Sequence, residues 1–111
     1  MSKASRIKGQ QGERELADIF SEELGINLFR NLGQERDGGS DLTVPSSLGP
    51  IGVQVKRQER AKINPWLRQA RDDVANSEEE AVPVVAWRAN GKKWVIAMDL
   101  EEFIKFVREC Q

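Results

Sequence analysis

Apolar positions recur at helical spacing early in the chain: Leu16, Ala17, Phe20 and Leu24 predict an amphipathic helix from about Gln10 to Leu24, closed by Gly25. The partly alternating segment Ile26 to Asn31 predicts a strand, followed by a turn region, LGQERDGGS. Two short strands, LTV and IGVQVK, flank the turn-forming PSSLGP. Asn64-Pro65 predicts an N-cap and a first helical proline, and the helix that follows turns Leu67, Ala70 and Val74 inward. After the polar linker SEEE, AVPVVAW and KWVIAM predict two strands joined by Asn90-Gly91, a signal for a tight hairpin. Asp99 and Glu102 are spaced as a capping box for a last helix, with Leu100, Phe103, Ile104 and Val107 on one face. The order αβββαββα predicts an α/β (α+β) fold, a central mixed β-sheet of about five strands flanked by helices.

The stretch Asp41 to Lys56 carries an unusual decoration. Alternation puts Ile51, Val53 and Val55 on one face of the second strand, and Gln54 and Lys56 on the other. A polar pair beside Asp41, which opens the neighbouring strand, suits a divalent metal held next to an ammonium group. The same residue types at strand ends are commonly just solvated. The first helix strengthens the metal reading. At 100° per residue Glu13 falls in the middle of the apolar stripe, whereas Glu15 falls opposite and reads as surface. A carboxylate on a buried face needs a cationic partner, so Glu13 belongs either to a site or to a structural ion pair.

The 111 residues suffice for one domain with one core. No apolar run approaches the ~20 residues that span a bilayer, and the N-terminus lacks a signal peptide's apolar segment. An intracellular, cytoplasmic protein with no membrane partner is expected. The single cysteine, Cys110, excludes a disulfide framework. The absence of histidine excludes Ser-His-Asp and Cys-His triads and histidine metal sites, and the absence of tyrosine excludes a phosphotyrosyl intermediate. Catalysis would rest on carboxylates, lysine, amides and a borrowed ion, Mg²⁺ or Mn²⁺, with no organic cofactor. Net charge is −1, yet residues 56–71 hold six basic side chains against one acid, and the chain from Asp72 holds nine acids against five bases. A basic segment abutting the candidate site suits a phosphate backbone, unless it is only a solvated loop and helix. Trp87 and Trp94 read as core or interface; Trp66, beside the basic segment, is open.

Together these residues resemble the PD-(D/E)XK nuclease superfamily, within it the archaeal-type Holliday junction resolvases and the small phage VRR-NUC domains, over roughly Ile7 to Ala86. Lys8-Gly9 followed by Glu13 resembles the resolvases' opening KG and catalytic glutamate. Ser40-Asp41 resembles their proline–aspartate pair and Gln54-Val55-Lys56 their ExK motif, at a matching separation of thirteen residues. Gln69 resembles a helical glutamine that follows the hairpin. Serine replaces a proline that is not a ligand. Gln54 replaces an acid and brings a carbonyl oxygen without negative charge.

The resemblance implies a restriction-endonuclease-like core and a metal-dependent endonuclease acting on DNA, selective for Holliday junctions or other branched DNA, in a bacterial or phage-infected cell. Glu13, Asp41, Gln54 and Lys56 would be catalytic. Asp41, Gln54, the Val55 carbonyl and Glu13 would hold metal. Lys8, Ser40, Arg57, Arg60, Lys62, Arg68 and Gln69 would contact DNA. So small a protomer suits a homodimer presenting two sites. The alternatives are a weakened or inactive nucleic-acid-binding domain on the same fold, and a protein-interaction adaptor.

Overall fold

In a computed structural model, which describes residues 3–29, 39–76 and 80–110, the chain forms α1 (Lys3–Leu24), β1 (Leu42–Val44), β2 (Ile51–Arg57), α2 (Ile63–Ala75), β3 (Val82–Arg88), β4 (Val95–Met98) and α3 (Leu100–Glu109). The strands make one sheet in the order β1-β2-β3-β4. β1 returns antiparallel onto β2 through the PSSLGP loop, pairing Leu42 with Val53 and Val44 with Ile51. The α2 crossover makes β2 and β3 parallel, and β3 and β4 are antiparallel again. This is the expected mixed α/β architecture.

Alternation in β2 and β3 sorts the core onto two faces. Val53, Val55 and Ala86 join Leu42 and Val44 beneath Leu16 and Ala17 of α1. Val85 meets Trp66, Leu67 and Ala70 of α2 on the opposite face. Each fully buried Val or Leu side chain contributes about 1.5–3 kcal/mol, so the sheet with a helix on either side is the main source of stability. Gly12 lets α1 approach: a Cβ there would clash with the stem of Arg57 on β2. Trp66 is buried and its ring lies 6.2 Å from that of Trp87, which makes it core and not a stacking platform for bases.

Several local expectations yield to longer-range contacts. α1 starts at Lys3, well before Gln10. Ile26–Phe29 is not a strand; the Leu28 N–H donates to Ser21 Oγ at 2.8 Å, so α1 satisfies the group a sheet neighbour would have taken. Arg30 and Asn31, the rest of that expected strand, lie outside the described residues, as does most of the turn region after it. The sheet therefore has four strands among the described residues, not about five. Helix α2 is capped at Lys62, so Asn64-Pro65 lies inside the first turn, where a missing proline N–H costs no helical bond. Asn90-Gly91 lies in a longer connection between Arg88 and Val95; Gly91 has φ 69° and the Lys92 N–H reaches the Ala89 carbonyl at 3.1 Å. Asp99 is the N-cap of α3 but makes no capping bond, because its carboxylate accepts from Arg71 of α2 at 3.0 Å. No residue of α3 is buried, and Leu100, Phe103, Ile104 and Val107 are exposed. Among the described residues no helix is long and apolar enough to cross a membrane.

Candidate active site

Side chains two apart on a strand stand about 6.6 Å apart and those four apart on a helix about 6 Å, so a strand face and a helix stripe can meet rung by rung. β2 and α2 do so. Lys56 Nζ donates to Gln69 Oε1 at 2.9 Å. One rung along, Gln54 Nε2 donates to Asp73 Oδ2, with a longer contact of 3.5 Å to the Gly39 carbonyl. Gly52 makes the next rung. A Cβ there would clash with Ser40 Oγ and lie 2.9 Å from Val74 Cγ2, so only glycine lets the Ser40-Asp41 turn lie flat on β2. Gln54 is 3% exposed and is a polar side chain in the interior of the sheet, which requires its amide to be hydrogen-bonded.

Asp41 sits just before β1 and continues its pairing with side-chain atoms. Its N–H donates to the Val53 carbonyl at 3.0 Å, and its Oδ2 accepts the Val55 N–H at 2.8 Å. The N–H and C=O of one strand residue share an edge, so the Val55 carbonyl also lies on that edge, beyond the end of β1. The Asp41 carboxylate is thereby held against the segment that carries Gln54 and Lys56. A cavity of about 800 Å³ opens there, walled by Arg6, Lys8, Gln10 and Glu13 of α1, by Asp41, by Gln54 to Glu59, and by Gln69.

Glu13 lines this cavity and Glu15 does not. Glu15 is not a plain surface residue either, since its carboxylate accepts from Arg88 and from Trp94 Nε1, each at 3.0 Å, and pairs with Arg57 at 3.6 Å. Burial raises the Glu15 pKa, but the Trp94 and Arg88 hydrogen bonds and the two guanidinium charges outweigh it and hold the group below the usual carboxylate range. Arg57 must be reassigned in consequence. Arg57 lines the cavity, but its guanidinium is given to Glu15 and to Asn90 Oδ1 (2.7 Å), with the side chain 10% exposed. It ties α1 to the sheet and is not placed to grip a phosphate. Lys8 pairs with Glu59 at 3.5 Å on the cavity wall. Arg60, Lys62 and Arg68 are exposed and lie outside the cavity lining, and Ser40 packs under Gly52.

Asp73 is the residue that the sequence reading passed over. It lies four positions beyond Gln69, and that spacing was the available signal. Its carboxyl is held above the usual range first by burial and then by the Asp41 charge, with Lys56 opposing. Among the described residues no three acidic, imidazole or thiol side chains converge as a metal cage. The oxygen donors among the lining residues are instead the Asp41 carboxylate, the Gln54 amide and the Val55 carbonyl on the sheet side, with the Glu13 carboxylate on α1. These hard oxygens fit Mg²⁺ or Mn²⁺, which keep several waters, and do not fit a softer metal.

The family model described as "Phage putative PDDEXK endonuclease" matches residues 4–110. Among solved structures the fold is similar to that of Hjc from Archaeoglobus fulgidus, described as a Holliday junction resolvase from an archaeal hyperthermophile. The TM-score is 0.59 at 17% identity, covering 80% of this chain and 70% of that one. No curated protein sequence matches.

Proposed function

The chain belongs to the phage PDDEXK endonuclease family, and from that membership we propose a metal-dependent endonuclease that hydrolyses DNA phosphodiester bonds, preferentially in branched DNA. The observation that carries the reading is the pairing of Asp41 Oδ2 with the Val55 N–H, which brings an acidic side chain to the strand bearing Gln54 and Lys56. Asp41, the Gln54 carbonyl oxygen and the Val55 carbonyl would hold Mg²⁺ or Mn²⁺. A divalent ion there would lower the pKa of a bound water and offset charge on the scissile phosphate. Lys56, held by Gln69, orients or helps deprotonate the attacking water and steadies the negative charge that grows on the phosphoryl oxygens. Glu13 holds a water from the α1 wall. Lys8 and Arg6 meet phosphates in the cavity, and Arg60, Lys62 and Arg68 contact flanking ones from the exposed surface beyond it.

The preference for branched DNA is supported by the fold shared with a resolvase. A homodimer is supported by α3. Its exposed apolar face is flanked by Glu101 and Glu102 in the N-terminal half and by a C-terminal half in which Lys105 and Arg108 outweigh Glu109. Two copies packed antiparallel about a two-fold axis would set each acidic half against the partner's basic half. The test is incubation of labelled four-way junction, flap and linear duplex with Mg²⁺ or Mn²⁺, followed by mapping of the cuts. Paired cuts near the branch point are expected. Metal-independent binding without cleavage would leave a nucleic-acid-binding domain, the reading that the uncharged Gln54 favours.

A further inference from the structure

Gln54 is a liability for a metal site unless its amide points the right way, because only the carbonyl half can be a ligand. The two acceptors around it decide the orientation. Nε2 meets a carboxylate oxygen of Asp73 and the Gly39 carbonyl, and a flipped amide would set oxygen against both. Gln54 lines the cavity, whereas Asp73, which takes Nε2, does not. The contact is long-range and built: Asp73 follows Gln69 by one helical turn, as Gln54 precedes Lys56 by one strand repeat.

We propose that Asp73 is a positioning residue of this site: it locks the Gln54 amide with the carbonyl oxygen toward the cavity and returns, from α2, the negative charge that position 54 lacks. Gln54 and Asp73 thus form one functional unit, an amide ligand backed by a carboxylate, in place of a single acid on the strand. The inference rests on the nuclease reading for its metal, but the amide orientation stands by itself.

Two measurements separate these. In metal-free protein, the Gln54 side-chain NH₂ signals should be shifted downfield and slow to exchange, and Asp73→Asn should remove both features while leaving the backbone spectrum folded. Unchanged Gln54 amide signals in Asp73→Asn would overturn the proposal whatever the metal does. In calorimetric titration with MnCl₂ without DNA, Asp73→Asn should weaken binding about tenfold, the scale of one lost charge-assisted hydrogen bond. Gln54→Glu alone should gain little, since it sets two carboxylates against each other. The swap Gln54→Glu/Asp73→Asn should recover at least wild-type affinity, which also serves as the folding control for both single variants. Independent, additive effects of the two substitutions would refute the coupling. Absence of Mn²⁺ binding by the wild type, with the amide signals as expected, would sink the metal reading and leave the positioning of Gln54 supported.

Discussion

Replacing Glu15 by alanine perturbs stability without touching the cavity, and its size can be worked from the contacts. The carboxylate accepts from Arg88 and Trp94 at 3.0 Å and pairs with Arg57 at 3.6 Å, tying α1 to β2, to β3 and to the connection before β4. Truncation leaves two guanidinium groups whose side chains are only 10% and 17% exposed without that partner. Hydrogen bonds to charged groups contribute about 1.5–3 kcal/mol each, but the Glu15 side chain is 37% exposed and water screens it. A loss of about 2–4 kcal/mol follows, or a fall in Tm on the order of 10 °C for a domain of this size. Urea denaturation at pH 7 measures it. The effect should shrink in acid. Because the folded pKa lies below the ordinary 4.5, the carboxylate stabilises fully above 4.5 and loses that contribution as pH falls through the folded value. The gap between wild type and Glu15→Ala should therefore narrow toward pH 3. Equal urea midpoints at pH 7, or a gap that widens in acid, would refute this account of Glu15.

Four further outcomes are expected. Glu13→Gln should abolish or severely reduce DNA cleavage, whereas Glu15→Gln should leave cleavage per folded molecule at the wild-type level. Asp41→Asn should abolish cleavage yet keep the bond to the Val55 N–H and hence the fold, whereas Asp41→Ala should also lower the unfolding free energy, measured in urea, by about 1–3 kcal/mol through the orphaned N–H. Gly52→Ala should destabilise by about 1–3 kcal/mol, measured by thermal unfolding, because its Cβ meets Ser40 Oγ and Val74 Cγ2. Phe103→Glu should shift the protein to a monomer in light scattering coupled to gel filtration, while single-site nicking activity persists.

Local pattern was enough for much of this protein. Strand alternation alone put Gln54 and Lys56 on the face opposite Val53 and Val55, because a period of two leaves no other choice. Helical phase likewise separated Glu13, on the cavity wall, from Glu15. Contacts between residues far apart in sequence decided the rest. By pattern Arg57 is one more cation in a basic segment; Glu15, 42 positions earlier, takes its guanidinium. The Asp99–Glu102 capping box lost to Arg71, 28 positions away, since a guanidinium offers a carboxylate more than a backbone N–H does. Gln54→Glu would add a useful charge by the logic of the chain alone. With Asp73 beside position 54 we expect little of that gain, and its position beside Gln54 exists only once α2 has packed on β2. Period and phase are properties of each segment by itself; which charges meet depends on how the segments pack, and the sequence pattern carries that information only jointly.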